Sequence, residues 1–174
     1  MMSMKYRVAA ILLFAVSSAQ AHIVLQQKSA PAGSYYRATF QVSHGCDGSP
    51  TRAISVDLPA ELASVKPMPK PGWNIAIETA KPSKPLSLHG KPVESVVRRI
   101  TWSGGPLPDA YYDEFVMQMK LPDEAGRLAF KVRQLCEQGE SNWIEIPVEG
   151  GAMPAFPAPA LDVVMPDPHA GHMH

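Results

Sequence analysis

The sequence is poor in cysteine, in excess charge and in long apolar runs, and each shortage excludes a class of protein. Its only two cysteines, Cys46 and Cys136, lie too far apart in sequence to form a C-x-x-C motif. Basic and acidic side chains both number 16, and this balance argues against nucleic acid as a partner, which would require a basic surface. No apolar run approaches the ~20 residues that a membrane-spanning helix needs.

Familiar catalytic motifs are also missing from the sequence. It contains no glycine-rich phosphate loop, no G-x-S-x-G nucleophile elbow and no H-E-x-x-H metalloprotease motif. Catalysis by a cysteine–histidine pair is excluded if both cysteines form a disulfide. These absences predict a protein that is not an enzyme.

Residues 1–21 have the organisation of a secretory signal peptide. Lys5 and Arg7 precede an apolar run of about nine residues, and Ala19-Gln20-Ala21 completes an A-x-A cleavage site. We therefore predict cleavage after Ala21 and a secreted or periplasmic mature protein. In an oxidising compartment, Cys46 and Cys136 are expected to form one structural disulfide.

The mature sequence alternates apolar and polar residues with a period of two, which predicts an all-β sandwich of antiparallel sheets. We expect residues 22–148 to form this domain and residues 149–174 to form a Pro-rich linker with a His/Met tail. Eight strands are predicted, with turn residues between them: His22–Gln27, Tyr35–Val42, Thr51–Leu58, Trp73–Thr79, Glu94–Trp102, Glu114–Leu121, Gly126–Gln134 and Asn142–Val148.

A cut after Ala21 would make His22 the first residue of the mature chain. Its α-amine and its ring Nδ1 could then chelate one cation, and such nitrogen donors suit Cu(II). In the last predicted strand, a core set of Ile144, Ile146 and Val148 would place Trp143 on the outer face, where it could shield a bound metal.

Three carboxylates are candidates for an additional oxygen ligand, and the residue pattern does not choose between them. Glu114 falls on the outer face of its predicted strand together with Val116, while the other two lie close to Trp143. The three candidates are Glu114, Glu140 and Glu145.

The C-terminal tail is a second candidate metal site. Its imidazoles accept copper, zinc or nickel, and its thioethers favour Cu(I). The residues concerned are His169, His172, His174, Met165 and Met173.

Seven stretches carry a resemblance to a known family: His22-Ile23-Val24, Ala30-Pro31-Ala32-Gly33-Ser34, His44-Gly45-Cys46-Asp47-Gly48-Ser49-Pro50-Thr51, Lys70-Pro71-Gly72-Trp73, Ile100-Thr101-Trp102-Ser103-Gly104-Gly105, Tyr112-Asp113-Glu114-Phe115, and Gln134-Leu135-Cys136-Glu137 through Trp143. In these stretches the chain resembles the YcnI-like family, also called the DUF1775 domain. The resemblance implies an immunoglobulin-like sandwich akin to CopC-type folds. It also implies Cu(II) binding by the mature N-terminal histidine in a single-histidine brace, with a tryptophan nearby. His22 and Trp143 match these roles by position, Glu114 lies in a family-like stretch, and the tail is not covered.

The resulting hypothesis is an exported Cu(II)-binding protein of copper trafficking and homeostasis, with a membrane copper transporter or another copper chaperone as its partner. One alternative is a copper-dependent oxidoreductase similar to polysaccharide monooxygenases, which use a second histidine. His44 or His89 would have to supply it here. Another alternative is an interaction module that binds no stoichiometric metal.

Overall fold

The computed structural model describes residues 22–148 and 150–166, so the predicted signal peptide and the tail histidines lie outside the described residues. The described part contains β-strands and no helix. The strands are β1 (Val24–Leu25), β2 (Ser29–Pro31), β3 (Tyr35–Val42), β4 (Thr51–Asp57), β5 (Ser64–Pro67), β6 (Trp73–Ala80), β7 (Ser87–Leu88), β8 (Lys91–Pro92), β9 (Val96–Leu107), β10 (Asp113–Lys120), β11 (Gly126–Ala129), β12 (Lys131–Cys136), β13 (Glu140–Trp143) and β14 (Ala160–Val164).

Two larger sheets enclose the core and confirm the predicted all-β sandwich. One sheet has the order β1-β3-β10-β5 and the other has the order β13-β12-β4-β9-β6. A three-stranded sheet, β11-β14-β2, completes the sandwich, and β7 pairs with β8 in a separate hairpin. Among the named strands, every pair is antiparallel except β14 with β2.

Alternation along β3 and β10 builds the centre of the core as the sequence predicts. Burying these apolar side chains removes them from water, which is the main driving force for holding the two sheets together. The buried set is Tyr36, Ala38, Phe40 and Val42 of β3, and Phe115, Met117 and Met119 of β10 with the following Leu121.

Val116 departs from this alternation, because the prediction that it lies on an exposed outer face is wrong. Its side chain is only 4% exposed. The chain after β5 continues beside it, where the backbone N–H of Met68 donates to the Val116 carbonyl at 2.8 Å. Backbone pairing along this edge of β10 therefore continues one residue beyond β5.

The predicted strand Gly126–Gln134 is two strands that lie in different sheets. β11 pairs with β14, whereas β12 pairs with β4 and β13. The change occurs at Phe130, which is fully buried and donates its backbone N–H to the Pro159 carbonyl at 2.8 Å. Apolar alternation continues across this change, so periodicity alone cannot reveal it.

The domain also extends beyond residue 148, so the predicted linker boundary is wrong for residues 156–164. Ala158 donates its N–H to the Glu145 carbonyl, and the Phe156 carbonyl accepts from the N–H of Glu145. Pro157 and Pro159 have no N–H, but both of these hydrogen bonds use the N–H of another residue. The chain then forms β14, whose Leu161 and Val163 are 0% and 3% exposed.

Candidate metal centre

Trp143 lies inside the sandwich, not on the outer face predicted for it. It is the last residue of β13 and pairs with the fully buried Val132 of β12, so its side chain points towards the core and is 2% exposed. The strand ends here, and the proposed core residues Ile146 and Val148 are 57% and 77% exposed. The outward prediction fails because it treated Asn142–Val148 as one alternating strand, whereas β13 ends at Trp143.

Three aromatic side chains surround the indole ring of Trp143. The ring centroids of His22 and His44 lie 5.5 Å and 6.0 Å from it, and that of Phe156 lies 5.2 Å away. His22 and His44 are both half-buried. The structure therefore brings His22 and Trp143 together, and it adds His44 from a different loop.

A tight hairpin presents His44 to Trp143. Cys46 and Ser49 exchange two backbone hydrogen bonds around Asp47 and Gly48, whose φ angles of 49° and 83° fit a type I′ turn. The Asp-Gly pair suits such a turn because both residues adopt positive φ at low cost. The Cys46–Cys136 disulfide, confirmed by the structure, joins this hairpin to β12.

Gly45 precedes this turn and is packed too tightly for any side chain. A Cβ atom there would lie 1.8 Å from the Ser49 carbonyl oxygen. Its backbone N–H donates to the Asp109 carboxylate at 2.7 Å, which ties the hairpin to the chain after β9.

Substituting Gly45→Ala is expected to reduce the free energy of unfolding by at least about 2 kcal/mol, because backbone must move to relieve the clash. Gly126→Ala is the matched control, since no atom lies within 4 Å of a Cβ there. Urea denaturation of both variants measures the difference. Equal stability of the two variants would show that the hairpin is not close-packed at Gly45.

A buried amide connects the indole to the His44 loop. Gln134 is fully buried, and its Oε1 accepts from Trp143 Nε1 at 3.3 Å. Its Nε2 donates to the His44 carbonyl at 2.7 Å and to Thr51 Oγ1 at 2.8 Å. An indole N–H can only donate, so Gln134 must turn its amide oxygen to Trp143. Its NH₂ group then gives a donor to both the His44 carbonyl and the Thr51 hydroxyl. Gln134 thus holds Trp143 and the His44 backbone in one fixed arrangement.

The His44 ring also contacts its own loop. Its Nδ1 lies 2.5 Å from the Gly45 carbonyl oxygen. A carbonyl can only accept, so this contact requires a proton on Nδ1.

The three candidate carboxylates all have partners within the protein. Glu114 Oε1 accepts from the Tyr112 hydroxyl at 2.5 Å, and burial, together with this hydrogen bond, raises the pKa of Tyr112. Glu140 accepts from Asn142, and Glu145 accepts from the backbone N–H of Phe156. Among residues 22–148 and 150–166, no three His, Cys, Asp or Glu side chains form a group that could hold a metal.

His89 lies at the opposite end of the sandwich from Trp143. It occupies a hairpin turn with a φ of 51°, and its Nε2 lies 3.0 Å from the hydroxyl of Tyr35, the first residue of β3. His22 precedes β1, which pairs near the last residues of β3. His89 is therefore separated from His22 by the length of β3, about 26 Å.

The described chain also leaves the sandwich at the end where His89 lies. Val164 pairs with Pro31, and its carbonyl accepts from the N–H of Ala32 in the turn before β3. His169, His172 and His174 follow this point but lie outside the described residues.

Sequence patterns gave too little weight to His44 and missed Gln134 and Phe156. One available signal was the predicted disulfide: His44 and Gln134 each lie two residues before a bridged cysteine. Bridging Cys46 to Cys136 therefore brings both residues to the same place. No comparable signal marks Phe156, whose position depends on how residues 145–158 fold back.

Comparisons with known proteins identify the domain and its fold. A family model described as "Domain of unknown function (DUF1775)" matches residues 22–163. An uncharacterized protein from Nocardia farcinica with an immunoglobulin-like fold superposes with a TM-score of 0.64 at 23% identity, covering 83% of this chain and 99% of that one. A cohesin module from a Clostridium perfringens family 33 glycoside hydrolase has a TM-score of 0.47 at 8% identity, covering 83% and 95%. The comparison with curated proteins found no match.

Within the described residues, no helix has the length and apolar character needed to cross a membrane.

Proposed function

The chain belongs to the DUF1775 family, a domain of unknown function, and we propose that it is an exported Cu(II)-binding protein that takes part in copper trafficking. In this proposal the signal peptide, residues 1–21, is removed in the secretory pathway. The mature protein then begins at His22 and binds Cu(II) through the α-amine and the imidazole of that residue.

The observation that carries the proposal is the placement of His22 against Trp143. The two ring centroids lie 5.5 Å apart, and the indole is held by buried contacts on its other sides. An amine and an imidazole from one residue form a chelate that suits Cu(II).

Trp143 would act by shielding the metal and not by ligating it. Its indole nitrogen has no free lone pair, and its N–H is already donated to Gln134. The ring face can attract a nearby cation electrostatically and exclude water from one side of it. A buried wall of this kind is expected to slow exchange of the bound ion with solvent.

A carboxylate would add an oxygen ligand to the two nitrogens of His22. Glu114 is the candidate that lies in the family-like stretch. It pairs across β10 and β3 with Gln41, which in turn pairs with Val24 of β1. This register places Glu114 two strands away from the start of β1. A carboxylate can accept at both of its oxygens, so Glu114 could bind copper and still accept the hydrogen bond from Tyr112 at Oε1.

The tail histidines, His169, His172 and His174, are proposed to collect or transfer copper, including Cu(I). Transfer is proposed to occur to a membrane copper transporter or another copper chaperone.

A copper oxidoreductase remains the second candidate, and the position of His44 favours it. Two histidines on one indole resemble the ligand arrangement expected of that class. Oxidation of ascorbate by the copper-loaded protein with release of hydrogen peroxide distinguishes the classes: a trafficking protein should give no sustained turnover above free Cu(II).

The pH dependence of affinity tests the amine ligand. A protonated amine cannot bind metal, and an α-amine has an ordinary pKa of about 8. Affinity for Cu(II) is therefore expected to fall about tenfold for each pH unit below that value. Competition titrations at pH 6, 7 and 8 measure the slope. The control is the same protein with the α-amine of His22 acetylated, and an equal slope in both proteins would exclude the amine.

A further inference from the structure

We infer that two copies of this chain pair edge to edge through β6 and form an antiparallel dimer. β6 is the outermost strand of the five-stranded sheet: β9 pairs with one side of it, and no described strand pairs with the other side. The inference commits to a second copy of this chain as the partner. It concerns a surface that the proposed copper site does not use.

Among the described strands that lie at a sheet edge, β6 is the longest and the least protected. It has eight residues, whereas the other edge strands have two to four. Proteins commonly protect a long edge with proline, lysine or a bulge, because open backbone groups pair readily with another strand. β6 contains no proline and no lysine, and its pairing with β9 is regular from Trp73 to Glu78. Such an edge is suited to pairing with another strand.

The hydrogen bonds next to β6 show which of its backbone groups face the open edge. The N–H of Gly105 donates to the Gly72 carbonyl, just beyond the first pair of the β6–β9 ladder. A bond at this position identifies the first pair as one that is not itself hydrogen-bonded, and bonded and non-bonded pairs alternate along an antiparallel ladder. Every second residue from Trp73, including Ile75 and Ile77, therefore directs its N–H and C=O away from β9.

One two-fold register uses these backbone groups on both copies. When Ala76 lies opposite Ala76 of the second copy, Ile75 of each copy lies opposite Ile77 of the other. Both residues of such a pair direct their N–H and C=O towards the open edge, so each pair can exchange both backbone hydrogen bonds. The alternation of bonded and non-bonded pairs thus continues from one copy into the next.

The side chains in this register are compatible on both faces of the sheet. Ile77 is 49% exposed, although it shares a face with Trp73 and Ile75, which pack against the core. Pairing Ile77 with Ile75 of the second copy would cover this apolar surface. On the other face, Glu78 is the one charged residue of β6, and it lies opposite the neutral Asn74. The two copies of Glu78 are four residues apart along the strands, or at least roughly 13 Å, so no like charges oppose each other.

A dimer of this kind leaves both proposed copper sites accessible. Trp143 ends β13, which lies at the opposite edge of the same sheet from β6. Four strand spacings, roughly 19 Å, separate these two edges. The two five-stranded sheets would become one continuous sheet with β13 at each outer end. Copper binding and self-association are therefore expected to be independent of each other.

Sedimentation of the mature chain, residues 22–174, tests the inference without copper. The weight-average mass should rise with protein concentration from that of a monomer towards twice that value. Hydrogen exchange at the amides of Ile75 and Ile77 should slow over the same concentration range, because these N–H groups become bonded in the dimer. A monomer at every concentration would overturn the inference. So would amides already protected in the monomer, since another segment of the same chain would then occupy the edge.

A charge at the two-fold axis provides a matched pair of variants. Ala76→Lys should raise the dissociation constant of the dimer at least about tenfold, because it places like charges opposite each other. Ala76 is exposed, so the fold should tolerate lysine. Leu135→Lys is the control, since Leu135 is 50% exposed on β12, which lies inside the sheet. A dimer unaffected by Ala76→Lys, or one abolished by Leu135→Lys, would show that the copies associate through another surface.

Proline at position 77 tests the backbone hydrogen bonds themselves. The N–H of Ile77 points away from β9, so Ile77→Pro should keep the β6–β9 ladder, as edge strands permit, and remove a donor that the dimer needs. Sedimentation should therefore show a monomer. Thermal unfolding identifies a variant that has failed to fold, and in that event Ala76→Lys decides the question. A folded Ile77→Pro variant that dimerises like the parent would overturn the inference.

Discussion

Replacing His22 with alanine in the mature chain is expected to lower Cu(II) affinity by at least about a hundredfold. Loss of even an indirect contact to a ligand commonly costs 10- to 100-fold in metal affinity, and this change removes a ligand that closes a chelate ring. The α-amine remains in the variant, but without its ring partner it is an ordinary single donor. Competition with a chelator of known affinity, at constant pH, measures the change.

His89→Ala is the matched control for this prediction. His89 is bonded to Tyr35 at the other end of the sandwich, so its loss should leave the affinity within a factor of two to three of the parent value. The tail histidines are replaced in both proteins, because a second binding segment would hide the effect. Equal affinities of the His22 and His89 variants would contradict the assignment of His22.

Removing the disulfide is expected to have the largest effect on stability. The bridge joins residues 90 positions apart, and closing so long a loop stabilises a fold by roughly 4 kcal/mol in the chain-entropy model. The variant Cys46→Ala/Cys136→Ala should therefore lose several kcal/mol of unfolding free energy in urea. Both cysteines are nearly buried, and alanine avoids placing a new polar group there.

The same variant should also bind copper more weakly if it remains folded. The disulfide holds the hairpin that packs His44 against Trp143, and a looser hairpin would hold the indole beside His22 less firmly. Stability is measured without copper so that the two effects stay separate. A loss below about 1 kcal/mol would show that the remaining contacts, including Gln134 with the His44 carbonyl, are enough to hold the loop.

The sequence predicts best those strands in which apolar, buried residues alternate with more polar, exposed ones. In β3, alternate residues from Tyr36 to Val42 are almost fully buried, so a period of two is sufficient to assign both strand and inner face. The disulfide was predictable for a different reason, since two cysteines allow a single pairing.

The prediction failed where a strand ended but the alternation of apolar and polar residues continued. Trp143 ends β13, yet Ile144, Ile146 and Val148 continue an apparent alternation, and that run reversed the assignment of faces. The segment before β14 is rich in proline, which indicates an extended chain but cannot show that Phe156 returns to Trp143. Both errors concern contacts between residues distant in sequence.

The candidate site was therefore predicted only in part. His22 and Trp143 could be paired through the family resemblance, and the structure places their rings 5.5 Å apart. The role of Gln134 depends on a buried hydrogen-bond network whose members come from β4, β12, β13 and the His44 loop. No local pattern in the sequence specifies such a network.

The most direct test of the central claim compares Cu(II) binding by the mature chain with and without a free amine at His22. Both proteins carry alanine in place of the three tail histidines, and in one of them the α-amine of His22 is blocked by acetylation. The free protein should bind one tight equivalent with two or more nitrogens in its paramagnetic resonance spectrum, and the blocked protein should bind far more weakly. The same affinity and the same spectrum in both proteins would contradict copper binding by the mature N-terminus.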